Sequence, residues 1–302
     1  MWFIFALITT FAWGSADLFY KKGSNPNDKL SHIKIVIMVG LVMGLHGFYY
    51  MVTNHISFSP FQMVRYFPVS FFYILSMTIG YIGLRYIELS ISSPIQNSSG
   101  AVTAVLLMIF FKQELGWLEI IGIMIISIGV FTLAVLEKKK DNSDLALQNV
   151  AIDKKYRTSF LAIMFPILYC VIDGLGTFAD AIYLDEWKLI SENDALLAYE
   201  FTFFLCGLIC FLYLALIKKE RFSFIKEREK GYAAIFETAG QFFYVFAMSG
   251  NSVIAAPLVA SYSIVSVILS RIFIKEKLTK KQYMVVFFVL LGIILLGIAE
   301  EL

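Results

Sequence analysis

Apolar runs of about 20 residues, each closed by charge, proline or asparagine, succeed one another along almost the whole chain. A helix needs roughly 20 mostly apolar residues to cross hydrocarbon, so the pattern predicts ten transmembrane helices. They fall at about 2–20, 34–53, 67–87, 92–111, 117–136, 159–182, 195–217, 231–249, 253–274 and 281–299. The only long polar stretch, from Glu137 to Thr158, contains Lys138, Lys139, Lys140, Asp141, Asn142, Ser143 and Asp144 and lies near the midpoint. The chain therefore reads as an all-α membrane protein with one five-span repeat over 1–140, a cytoplasmic linker over 141–158 and a second five-span repeat over 159–302. The first run has no basic residue before it and ends in Lys21 and Lys22, so it is expected to stay as a helix and not be cleaved as a signal.

The two halves resemble each other. Shifted by 163 positions, Tyr81 meets Tyr244, Pro94 meets Pro257, Ser98 meets Ser261 and Val102 meets Val265; the register continues through Lys112 and Lys275, Leu115 and Leu278, Gly129 and Gly292, Leu133 and Leu296, and Glu137 and Glu300. An odd number of spans per repeat forces the halves into the bilayer from opposite sides, the inverted-repeat plan of many secondary transporters, with solute bound between the halves. The loops after the odd-numbered spans hold 22 Lys and Arg, while the opposite loops hold only Arg65, Lys112 and Lys188. Positive charge stays inside, so both termini are expected outside a cell (plasma) membrane, the inner membrane of a bacterium.

Composition narrows the chemistry. The 302 residues are 59% hydrophobic and only 16% charged, with a mean hydropathy of +0.76, too apolar for a soluble domain. A balance of 25 basic against 23 acidic residues leaves no basic patch for nucleic acid. Cys170, Cys206 and Cys210 all sit in apolar runs at spacings that suit neither a disulfide framework nor zinc. No phosphate-cradling glycine loop, GxSxG or HExxH is present, so neither catalysis nor ATP-driven transport on this chain is expected, and no cofactor beyond a coupling proton or ion. The expected partners are a small-molecule solute and the lipid bilayer, with the choice between monomer and homodimer left open.

Several local motifs resemble EamA-type members of the drug/metabolite transporter superfamily. They are Ala12-Trp13-Gly14-Ser15 followed by Lys21-Lys22, the prolines Pro94 and Pro257 at expected helix starts, and two charged turns ahead of Gly129 and Gly292. The turns are Phe111-Lys112-Gln113-Glu114-Leu115 and Ile274-Lys275-Glu276-Lys277-Leu278, and they differ in where the acid sits. The resemblance implies ten helices in two inverted five-helix repeats, carrier-type transport of a small metabolite, and a central cavity lined mainly by spans 1, 3, 4, 6, 8 and 9. It names no solute.

Ionisable groups inside spans are costly and point to function. Asp17, Asp173, Asp180, Glu200 and Glu237 are such groups, and no Lys or Arg lies deep in a span to neutralise them. Asp173 stands mid-span with Tyr169 four residues before it; Trp13 and Asp17 repeat that spacing in the first half. The two pairs, if they face each other, form an aromatic and acidic cage for an ammonium group. Pro166 is expected to bend span 6 just before Tyr169. Asp17 could instead pair with Lys21 at the interface.

Glu237, Gln241, Tyr244 and Met248 form a polar stripe on span 8, mirrored by Tyr81 on span 3. Gln96, Asn97, Ser98, Ser99 and Thr103 on span 4, and Ser261, Tyr262, Ser263 and Ser266 on span 9, supply hydrogen-bonding groups for solute or for helix contacts. Asp180 is expected at a solvated helix end, Glu200 with Tyr199 on a peripheral helix, and His32, His46 and His55 in minor roles near span 2. Gly40 and Gly44 suggest close helix contact. The expected function is a secondary carrier for a cationic or zwitterionic amine or amino acid; the alternative is a flippase or a drug or sugar carrier of the same fold in which the acids are structural.

Overall fold

The computed structural model describes residues 1–25, 28–86, 89–113, 115–147, 160–275 and 279–301. Glu114, Glu276, Lys277 and Leu278 of the charged turns, and 148–158 of the expected linker, lie outside the described residues. All regular structure among the described residues is helical: α1 Trp2–Gly23, α2 Ser31–Thr53, α3 Phe61–Arg65, α4 Phe67–Gly83, α5 Leu89–Gln96, α6 Ser99–Phe110, α7 Trp117–Leu147, α8 Phe160–Ala181, α9 Glu192–Leu212, α10 Arg228–Gly250, α11 Ser252–Ala260, α12 Tyr262–Leu269 and α13 Lys280–Glu301. Wider π-helical turns, Ile182–Glu186, Tyr213–Ile217 and Ser270–Ile274, extend α8, α9 and α12.

Among the described residues seven stretches are long and apolar enough to cross a membrane: α1, α2, Trp117–Leu136 of α7, Met164–Glu186, Glu192–Ile217, Ser252–Ile274 and Lys280–Ala299. Three predicted spans take a different form. α4 is apolar but has only 17 residues. α10 has 23 residues and includes Arg228, Glu229, Lys230 and Glu237. The fourth span is broken into α5, of eight residues, and α6, of twelve.

That break has a local cause. The Asn97 side chain donates Nδ2 to the Ser93 carbonyl at 2.8 Å, and in the mirrored helix Ser261 donates Oγ to the Leu258 carbonyl at 2.6 Å. Such bonds compete with the helical ladder a few residues after a proline has already removed one of its donors. Pro94 and Pro257 consequently lie inside α5 and α11 instead of opening them. Pro166 likewise lies inside α8. The first seven residues expected in the linker, 141–147, continue α7.

Side-chain pairs show how the two halves meet. Tyr66 with Asp180, Ser76 with Asp173, and Gly80 with Tyr169 lay α4 antiparallel along α8. Gly250 with Trp2, Trp13 with Glu237, and Gly23 with Lys230 do the same for α1 and α10. α2 pairs with α9, α6 with α11, and α7 with α13. Every one of these pairings joins the first half to the second.

α2 and α9 approach each other closely. A methyl group on Gly40 would fall 2.6 Å from the Phe203 carbonyl oxygen and 3.0 Å from the Gly207 Cα, so the backbones touch. Polarity is arranged outside-in for a lipid solvent. Ile4, Ile8 and Phe11 on α1 and Phe287, Phe288 and Ile294 on α13 are exposed, while Thr9, Thr10, Ser76, Ser93 and Thr103 are buried. Lipid tails are as apolar as leucine, so helix contacts there depend on small residues and internal hydrogen bonds.

Candidate functional site

The paired helices leave a cavity of about 70 Å³ between the halves. Ten of the eleven residues expected at the site line it: Trp13, Asp17, Tyr81, Asn97, Tyr169, Asp173, Glu237, Gln241, Tyr244 and Tyr262. Ser98 does not. Its hydroxyl donates to the Pro94 carbonyl at 3.1 Å, and the break after α5 turns it toward Phe131, Ile167 and Cys170 on α7 and α8. Met248, the last member of the α10 stripe, is buried but not in the cavity wall.

The two Asp residues occupy equivalent serine-lined niches. Asp17 accepts on Oδ2 from Ser93 at 2.6 Å and from Ser266 at 2.7 Å. Asp173 accepts on Oδ1 from Ser76 at 3.2 Å and on Oδ2 from Ser99 at 2.7 Å. Each carboxylate is thus oriented by hydroxyls from two other helices while its own helix presents it to the cavity. Lys21 does not pair with Asp17; its Nζ donates to the Leu84 carbonyl at 3.1 Å.

Glu237 is held from the first half. Tyr20 donates to its Oε2 at 3.3 Å, and Tyr81 donates to Tyr20 at 3.0 Å. Trp13 bonds the Glu237 carbonyl through Nε1 at 3.2 Å, which fixes the indole against the cavity. Its ring centroid lies 4.9 Å from that of Tyr244 and 5.8 Å from that of Tyr262. Among the described residues no Lys or Arg lies within ion-pair distance of Asp17, Asp173 or Glu237, and none lines the cavity. The wall therefore offers carboxylates and aromatic faces, which favour a cation, beside hydroxyls and amides that can donate or accept.

Tyr20, Tyr73, Met77 and Thr177 also line the cavity and were not singled out from the sequence, and so does Tyr199, which was read with Glu200 as peripheral. Tyr199 brings α9, expected at the periphery, to the site. Asp180 is not solvated at a helix end: it is 0% exposed and accepts from Tyr66 and Tyr73. Glu200 is also 0% exposed and receives His46 Nδ1 at 2.7 Å, away from the cavity, between α2 and α9. Thr103 bonds the Gly174 carbonyl at 3.1 Å and Ser263 the Ala260 carbonyl at 3.4 Å; both serve the helix framework.

Comparison with known proteins adds the following. The model of the EamA-like transporter family matches residues 1–135 and again 160–298. No curated protein matches. Among 28 matching chains of solved structures, one titled "Crystal structure of protein" covers 99% of this chain with 98% of its own, at 10% identity and a TM-score of 0.66. At that identity the likeness is one of fold.

Proposed function

The chain belongs to the EamA-like transporter family, and from that premise we propose that it is a secondary carrier for a small cationic or zwitterionic amine or amino acid. The observation that carries this reading is the joint presence of Asp17, Asp173 and Glu237 in one cavity with Trp13, Tyr169 and Tyr262, with no lining Lys or Arg. A carboxylate in a low-dielectric cavity attracts a cation far more strongly than it would in water. Aromatic faces add cation–π attraction to the same charge. One water needs about 10–15 Å³ on the scale on which this cavity measures about 70 Å³, so a compact solute suits it.

Alternating access between two inverted five-helix repeats, ten helices in all, is the movement proposed. The pairing of α1, α2, α4, α6 and α7 with helices of the other half supports it, because exchange of the conformations of two repeats related by a pseudo-two-fold axis in the membrane plane turns an inward-open form into an outward-open one. Placement in the plasma membrane with the odd-numbered loops inside follows from the asymmetry of Lys and Arg.

The test is thermal unfolding of the detergent-solubilised protein with choline, tetramethylammonium, spermidine, lysine, glucose or glutamate added, repeated on Asp173→Asn. A ligand of the native state at 100 times its Kd stabilises by about 2.7 kcal/mol. A cation is expected to raise the melting temperature of the wild type and not of the variant. Equal stabilisation of both proteins by neutral or anionic solutes would sink the reading and make the acids structural.

A further inference from the structure

Asp180 stands behind the cavity wall, 0% exposed, with no Lys or Arg among the described residues in ion-pair range. Tyr66, at the start of α4, donates to its Oδ1. Tyr73, two turns further on, approaches Oδ2 at 3.4 Å. The same Tyr73 hydroxyl lies 2.6 Å from that of Tyr244 and 3.3 Å from that of Thr177. Tyr244 and Tyr73 both line the cavity. An unbroken chain of hydroxyls thus joins a sealed carboxylate to the solute site.

Each oxygen of the Asp180 carboxyl group accepts from a different tyrosine, and an asparagine would offer a donor in place of one of those oxygens. The group is thus matched as an acceptor pair, yet as a buried carboxylate it has no cation beside it among the described residues to offset the cost of its charge. The titratable groups that face Asp180 are Tyr66 and Tyr73 from the first half, Tyr244 from α10, Tyr199 from α9 beyond the tyrosine rings, and Asp173 and Tyr183 along α8 and the turn that extends it. All are acids or phenols. None supplies a fixed positive charge, so the exchangeable cation that this group can take is the proton.

We propose that Asp180 is a proton-binding site separate from the solute cavity, connected to it through Tyr73 and Tyr244. Transfer conserves protons. Tyr244 takes a proton from cavity water as it passes its own to Tyr73, and Tyr73 passes its own to Asp180 Oδ2; one proton leaves the cavity and one carboxylate becomes neutral. Because Asp180 does not touch the cavity, proton and cationic solute need not compete for one carboxylate. The use of this proton to drive transport rests on the carrier reading above; the binding does not.

Infrared difference spectroscopy of the purified full chain between mildly acidic and mildly alkaline buffer tests this with the proton itself as probe. Carboxyl-¹³C aspartate labelling separates Asp17, Asp173 and Asp180 from Glu200 and Glu237. One protonated-aspartate band is expected to vanish in Asp180→Asn and to shift in Tyr73→Phe, where its hydrogen bond is lost. After a pH jump the band is expected in Tyr244→Phe but with slower onset. Identical labelled difference bands in wild type and Tyr73→Phe would overturn the site, even if Asp180→Asn fails to fold. A wild-type onset rate in the double variant Tyr73→Phe with Tyr244→Phe would overturn the relay.

Discussion

Asp17 and Asp173 show how a single helical spacing sets up a site. An aromatic residue and an acid four positions apart share one face, so Trp13 with Asp17 and Tyr169 with Asp173 turn to the cavity together. That much is local and readable. Ser98 was not, because each helical step turns about 100° and the break after Gln96 resets the face. Tyr20 and Tyr73 carried no pattern in the sequence, and Tyr199 was read as peripheral; all three matter through hydroxyls met across the fold. At Glu200, Oε1 has His46 while Oε2 is buried without a partner. His46→Leu would leave the carboxylate with neither, a loss on the order of 3–5 kcal/mol for a broken buried pair. Thermal unfolding in detergent checks it: a variant melting at the wild-type temperature would mean that the pair contributes nothing to stability.

Several elements cross closely at glycines. Gly40 on α2 faces the backbone of α9, which cannot yield as a side-chain tip can. Gly40→Ala is therefore expected to destabilise by about 1–3 kcal/mol, as overpacking does. Gly116, where the nearest atom to a new methyl is 3.5 Å away, is the control. Gly116→Ala should stay within about 0.5 kcal/mol of wild type; equal losses in the two variants would refute the close crossing. The helix ends follow their own chemistry. Ser191 caps α9 by accepting from the Asp194 amide at 3.2 Å, while Lys188, Lys219 and Lys275 take left-handed conformations just past the three π-helical turns.

At the scale of the whole molecule, charges outside the hydrocarbon tie the halves together. Lys34 Nζ lies 2.8 Å from Asp28, 3.5 Å from Glu220 and 3.9 Å from Glu227, and Glu227 also meets Lys230. Partial burial works to raise the Asp28 carboxyl, but the Lys34 hydrogen bond, the Leu30 amide and the nearby positive charges outweigh it and hold it below its ordinary value. A depressed acid stabilises the fold above its unfolded pKa of about 3.9 and loses that contribution as pH falls through the folded value. Asp28→Asn should melt below wild type at neutral pH, with the gap closing in acid and narrowing in high salt. A gap that is the same at every pH would remove the ion pairs as its cause. Orientation has its own test, on a protein in which Cys170, Cys206 and Cys210 are replaced by alanine. Lys219→Cys is expected to react with an impermeant maleimide only in inside-out vesicles and Arg65→Cys only in right-side-out ones; the reverse pattern would invert the topology.

The sequence alone determined the membrane class, the all-helical make-up of the described residues, the two-repeat plan and most of the cavity-facing acids and aromatics, though not the break in the fourth span or the length of α7. Hydrophobic length and helical period are properties of contiguous chain, and lipid leaves a spanning segment no alternative to the helix. Tertiary structure decided what each acid meets. Asp17 finds Ser266, Asp180 finds Tyr66 and Glu200 finds His46 across 249, 114 and 154 residues. No periodicity within one helix records such partners, because they depend on how the two halves pack, and packing in lipid is set by glycine crossings and buried hydroxyls spread over the whole chain.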